Sequence, residues 1–190
     1  MIVKYYDLKK NLDKNINFFL LYGNNKGLIQ DTIENTFKPI FSKRIIKYEE
    51  TEIINNTEVF QEEIFNKSFF GDEKFIIINR ASDKILSIIE KIIEKDVKDL
   101  KIVIWSAILE KKSKLRNFFE KNKSTITVPF YEDNHQTLLT VASKFLNEKK
   151  INISQKNINL IIEKTKGDRI SLKNELEKIN FYKLGENRID

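Results

Sequence analysis

Three runs in this chain are apolar at every position rather than at alternate ones: Phe18-Phe19-Leu20-Leu21-Tyr22, Phe75-Ile76-Ile77-Ile78 and Ile102-Val103-Ile104-Trp105. An alternating strand can leave one face to water. A strand apolar throughout has to be covered on both faces, as in a parallel sheet. The intervening segments supply the cover. Leu28, Ile29, Thr32, Ile33 and Phe37 recur at helical spacing until Pro39 stops them. Val59, Phe60, Ile64 and Phe65 follow a cap at Asn56 or Thr57. Ser82 caps a helix carrying Ile85, Leu86, Ile88, Ile89, Ile92 and Ile93, and residues 112–122 turn Leu115, Phe118 and Phe119 inward. Arg44 to Glu49 and Thr125 to Val128 read as two further strands, the second stopped by Pro129. Strands alternating with helices over residues 16–130 predict a doubly wound parallel α/β sheet.

The pattern changes after Pro129. Asp133 and Gln136 resemble a capping pair, and Leu138, Val141, Ala142, Phe145 and Leu146 form one helical face. Ser154 caps a second helix with Ile158, Ile161, Ile162 and Thr165, and Gly167 follows its end. Ser171 starts a third, with Leu172, Leu176, Ile179 and Tyr182. The expected division is an α/β domain over residues 1–132 and a small three-helix domain over 133–190.

Composition narrows the chemistry. The 190 residues contain no cysteine, which excludes disulfides, thiolate metal sites and cysteine nucleophiles. His135 is the single histidine, so a multi-histidine metal site is excluded too. No apolar run approaches the length of a membrane span, and the first residues lack a signal peptide's apolar core. The cytoplasm is the expected location. A net charge of +6 permits nucleic-acid contact but does not argue strongly for it: lysine is abundant along the whole chain, as on a generally lysine-rich solvated surface.

The first strand runs into Gly23-Asn24-Asn25-Lys26-Gly27-Leu28-Ile29, a strand-glycine-helix turn of the kind that binds phosphate. Such a turn needs a lysine and a hydroxyl residue after its second glycine, for phosphate and Mg²⁺. Leu28-Ile29 occupies that place, and Lys26 lies inside the turn. The strand ending Trp105-Ser106-Ala107 likewise lacks an Asp-Glu pair to hold a metal ion. His135 reads as a surface or capping residue, and Glu175-Leu176-Glu177-Lys178 as solvated helix surface. Phe69 and Phe70, adjacent at a helix-to-strand junction, have two readings: both close the core, or at least one anchors a partner.

In order along the chain, Phe19-Leu20-Leu21-Tyr22-Gly23-Asn24, Ser68-Phe69-Phe70-Gly71-Asp72-Glu73-Lys74, Glu110-Lys111-Lys112-Ser113-Lys114-Leu115 and Asn174-Glu175-Leu176-Glu177-Lys178-Ile179 match a set of family motifs. With them the chain resembles the delta subunit of the bacterial DNA polymerase III clamp loader. The second segment resembles the family's S-L-F-G-x-x-R, with Phe69 in place of leucine. The third is similar to its D-K-R-S-K-L, and the last to its N-E-L-E-K-L.

The resemblance implies an AAA+-like (P-loop-NTPase-like) domain lacking a functional nucleotide site, a helical lid, and a C-terminal collar domain that these residues do not reach. It implies a non-catalytic subunit of a DNA-directed DNA polymerase, with no cofactor. The implied partners are the sliding clamp (the beta subunit), the gamma/tau and delta-prime subunits through the collar, and primed DNA in the assembled loader. Lys67, Ser68, Phe69 and Phe70 are the positions the resemblance assigns to the clamp. Two alternatives stay open: an ATPase with an unorthodox P-loop, and a DNA-binding helical module on an α/β scaffold.

Overall fold

The structure, a computed structural model, describes residues 1–12, 16–41, 44–66, 73–97 and 99–185. They form two compact units: Met1–Asn24 with Ile29–Phe130, and Asn25–Leu28 with Tyr131–Asp190.

The first unit is built on five parallel strands: β1 (Phe18–Gly23), β2 (Arg44–Glu49), β3 (Lys74–Asn79), β4 (Leu100–Ser106) and β5 (Thr125–Phe130). Their order is β2-β3-β4-β1-β5. Helices α1 (Lys26–Thr32), whose residues up to Leu28 are counted with the second unit, α2 (Glu50–Asn55), α3 (Thr57–Phe65), α4 (Leu86–Glu94) and α5 (Lys114–Lys121) connect them. The all-apolar runs are buried on both faces, as their composition requires. Phe18, Leu20, Ile76, Ile78, Ile102 and Ile104 pack with Ile53 of α2, Phe60 and Ile64 of α3, Ile88, Ile89 and Ile92 of α4, and Leu115 and Phe119 of α5. The intervening residues point the other way. There Phe19 meets Phe37 edge-on at 5.1 Å between ring centroids, and Phe75 stacks on Phe37 at 6.0 Å. Phe37 closes a π-helical turn, Ile33–Phe37, that directly continues α1.

Several local expectations are corrected. Pro129 does not stop the last strand: β5 runs through it to Phe130, with Tyr22 paired to Pro129. Thr127 exchanges backbone hydrogen bonds with Met1 and Val3 on the side away from β1. By the two-residue alternation Pro129 turns its nitrogen the same way, so its missing N–H costs the β1 ladder nothing. α2, which follows directly on β2, is a helix that the apolar spacing does not signal. α5 begins at Lys114 rather than Lys112, with Ser113 accepting from the Arg116 N–H (3.2 Å). Ser82 caps as expected, but through a 3-10 turn, Asp83–Ile85, that leads into α4.

The second unit contains α6 (His135–Glu148), α7 (Gln155–Lys164) and α8 (Arg169–Gly185) around Leu138, Ala142, Leu146, Ile158, Ile162, Leu172 and Leu176. Ser154 caps α7 as expected. The capping pair of α6 is Asn134 with Thr137, not Asp133 with Gln136. α8 starts before Ser171, whose N–H donates to the Asp168 carboxylate (2.7 Å).

Candidate functional site

Lys67, Ser68, Phe69 and Phe70 lie outside the described residues, as do Gly71 and Asp72. The flanks of that segment are described, and one side chain joins them. Lys74, the first residue of β3, is 5% exposed, a rare position for a lysine. Its ammonium donates to the carbonyl oxygens of Asn66 (2.5 Å), Ile64 (3.5 Å) and Glu63. The last carbonyls of a helix lack partners within it and carry partial negative charge. Lys74 therefore caps the C-terminus of α3 from the neighbouring strand. The Glu63 carboxylate in turn accepts from the Tyr48 hydroxyl of β2. Lys74→Met keeps the apolar stem and strips the cap. We expect it to cost about 1–3 kcal/mol in urea unfolding; an unchanged midpoint would show that these carbonyls find other partners.

Two N–H groups beside the turn after β1 have partners within their own unit. Gly23 has φ +141°, and its N–H donates to the Ala107 carbonyl (3.2 Å). In the second unit, Asn25 accepts from the Leu28 N–H (3.0 Å), capping the start of α1. The Asn25 amide donates to the Tyr131 carbonyl (3.0 Å) and to Asp133 Oδ2 (2.8 Å). Arg169 grips the same carboxylate with two bonds, Nε to Oδ2 at 2.7 Å and Nη2 to Oδ1 at 2.5 Å. The Arg169 and Asp133 side chains are 9% and 4% exposed. Burial alone would raise the Asp133 carboxyl. Hydrogen bonds from Arg169 and Asn25, with the guanidinium charge, outweigh it and hold the group below its ordinary value. A Cβ on Gly27 would lie 3.0 Å from Arg169 Cβ, so only glycine lets Arg169 approach so closely.

At the C-terminal ends of the other strands the polar groups are also committed. Ser106 donates to the Ala81 carbonyl (2.5 Å). Glu50 accepts from Ser82 through both backbone and hydroxyl. Asp83 accepts from Ser113 Oγ (2.6 Å) and from the N–H groups of Lys114 and Leu115. The Ser113 bond, followed by those backbone bonds, lowers the Asp83 carboxyl below its usual value despite some desolvation. Trp105 is half-buried, and His135 is an exposed first residue of α6. Among the described residues no cluster of His, Asp and Glu could hold a metal ion, and no helix is long and apolar enough to cross a membrane.

Sequence reasoning missed Asn25, Asp133, Arg169 and Lys74. Asp133 reads as a helix cap because the true cap, Asn134, is its neighbour. Lys74 carried a usable signal: a lysine opening a strand that is otherwise apolar. Arg169 carried a weaker one, as the first residue after the Gly167-Asp168 helix start.

A five-stranded parallel sheet in this order, connected by helices, is a doubly wound α/β fold, and a three-helix unit follows it in the chain. No protein-family model matches the chain, and no curated protein matches it in sequence. Solved structures do match. The Bacillus subtilis DNA clamp loader delta protein (YqeN) superposes with a TM-score of 0.60 at 15% identity, over 96% of this chain and 58% of that one. Domain III of the Thermotoga maritima replication initiation protein DnaA gives 0.57 at 14% identity, over 98% and 84%. AMPPCP-bound DnaA from Aquifex aeolicus gives 0.57 at 15%, over 92% and 58%. The chain thus spans 58% of the length of the delta protein it resembles. At these identities the likeness is one of fold.

Proposed function

We propose that this chain is a delta-type component of a DNA clamp loader, which binds the sliding clamp and opens its ring without hydrolysing nucleotide itself. The observation that carries this reading is the turn after β1. In a fold shared with an AMPPCP-bound protein, this turn lacks the Lys-Ser/Thr of a phosphate site, the Gly23 N–H is spent on the Ala107 carbonyl, and the Leu28 N–H on Asn25. The match of Ser68 to Lys74 with the delta motif and the likeness to a delta protein over 96% of the chain support it.

No covalent chemistry is required. A closed ring opens only if its opener binds the open edge more tightly than the closed one, by the free energy that opening costs. Phe69 and Phe70 are the anchors for an apolar pocket on the clamp, with Lys67 and Ser68 beside them. The Lys74 cap holds the end of α3 that leads into them. Gamma/tau and delta-prime subunits and primed DNA are the further partners of this reading.

The test is calorimetric titration with the sliding clamp of the same organism. The chain should bind, and Phe69→Ala/Phe70→Ala should weaken binding by at least about thirtyfold while the circular dichroism spectrum is unchanged. Binding that survives the double change moves the contact elsewhere on the chain. Absence of binding by the unaltered chain overturns the reading. Heat from an ATP titration would then favour the ATPase that the likeness to AMPPCP-bound DnaA suggests.

A further inference from the structure

The first twelve residues carry a surface feature that clamp binding leaves unused. The N-terminal segment is tied to the outer edge of β5. The Met1 amino group donates to the Thr125 carbonyl (2.8 Å), the Val3 N–H to the Thr127 carbonyl (2.9 Å), and the Thr127 N–H to the Met1 carbonyl (2.9 Å). A 3-10 turn, Tyr5–Asn11, follows and is anchored by Leu8 and Leu12, both buried. The same turn leaves Tyr5 42% and Tyr6 59% exposed.

These rings are held in place rather than trailing in solvent. They meet edge-to-face at 5.4 Å, and Tyr5 is backed by the buried Phe130 ring at 6.3 Å. The Lys4 ammonium sits 5.7 Å from the Tyr6 ring centre, and its hydrogen bond to Tyr6 raises its pKa. Lys9 and Lys10 are exposed on the same turn. Three lysines thus bracket the aromatic pair, against one carboxylate, Asp7.

Fixed, partly exposed aromatic rings beside cations match the chemistry of an unpaired nucleic-acid strand. Bases stack on the rings whatever their sequence, and ammonium groups follow the phosphates. A protein partner would also use exposed tyrosines, but three ammonium groups against the one carboxylate of Asp7, which lies 3.9 Å from Lys10, leave a net positive charge that favours a polyanion. We propose that Tyr5 and Tyr6, with Lys4, Lys9 and Lys10, form a stacking platform for single-stranded nucleic acid. This goes beyond clamp binding and does not depend on it.

The experiment is fluorescence anisotropy of a dye-labelled oligo(dT) titrated with the whole chain, over a salt series beginning near about 50 mM. The unaltered chain should bind with a salt-dependent affinity, and duplex DNA of the same length should bind more weakly. Tyr5→Ala/Tyr6→Ala should weaken binding at least about tenfold, whereas Tyr5→Phe/Tyr6→Phe, which keeps both rings, should stay within about threefold. Lys9→Gln/Lys10→Gln should lower the slope of log affinity against log salt by about 1.4, which is about 0.7 for each phosphate no longer neutralised. No binding by the unaltered chain, equal binding of duplex, or full binding by the alanine pair overturns the proposal. Should the alanine pair misfold, the lysine pair decides: both its sites are exposed, and an unchanged salt slope overturns the proposal as well.

Discussion

Replacing Arg169 by methionine should destabilise the protein by about 3–5 kcal/mol at neutral pH. Methionine keeps most of the buried stem but removes both hydrogen bonds to Asp133 and the charge that neutralises it. What remains is a carboxylate with a 4% exposed side chain, held by the Asn25 and Thr137 side chains without the guanidinium charge. The cost is mainly that of the stranded charge, not the net worth of the pair. Arg169→Met/Asp133→Leu should therefore recover most of the loss, since two apolar groups leave nothing unpaired. The pH dependence separates this account from simple loss of packing. In the unaltered protein the folded Asp133 titrates below its unfolded value of 3.8. Its stabilisation is present above that value and lost as pH falls through the folded pKa. In Arg169→Met burial prevails, the folded carboxyl titrates above 3.8, and the sign reverses. The penalty is then full at neutral pH and is relieved as pH falls through the raised value. Urea midpoints for both proteins at pH 7 and pH 5 should converge at the lower pH. A gap that does not narrow would assign the loss to packing.

The parts of the fold set by burial were legible in the sequence, because a two-sided strand admits few alternatives. Phe18 to Tyr22, Phe75 to Ile78 and Ile102 to Trp105 could only be interior strands, and the helical spacings between them supplied the cover. The errors lie where two local signals compete. Pro129 is a strand breaker in general, yet it is harmless on an edge whose outer side is bonded to the N-terminal segment at Thr125 and Thr127. Asp133 and Asn134 are both good caps; the shorter-range geometry took Asn134, and a partner 36 residues away took Asp133. No local pattern announces that pairing. The same holds for Lys74, which reaches carbonyls at the end of the preceding helix and that of Asn66, which follows it. The P-loop-like turn shows both sides of the matter. Its missing Lys-Ser/Thr was visible in Leu28-Ile29, but the Ala107 carbonyl that takes the Gly23 N–H comes from a distant part of the chain.

Gly23→Ala should cost about 3–5 kcal/mol, from a strained backbone and a steric clash acting together. At φ +141° an alanine is held in a region that L-residues rarely occupy. Its Cβ would lie 2.0 Å from the Phe130 carbonyl oxygen and 2.8 Å from the carbonyl carbon. Those are backbone atoms of the paired strand, so no rotamer change relieves the overlap; the end of β5 has to move away from β1. Gly167→Ala is the matched control. Its φ is +79°, but a Cβ there meets nothing within 4 Å. Only the conformational term remains, about 1–2 kcal/mol. Urea unfolding should thus give a midpoint shift for Gly23→Ala about two to three times that of Gly167→Ala. Equal shifts would mean that β5 yields freely and that the close approach is incidental. The larger shift bears on function as well. In a phosphate-binding turn, glycine lets backbone N–H groups reach a ligand. Here Gly23 lets the Phe130 carbonyl reach the turn and spends its N–H on Ala107. A residue that looks like part of a nucleotide site is then accounted for by the packing of β1 against β5.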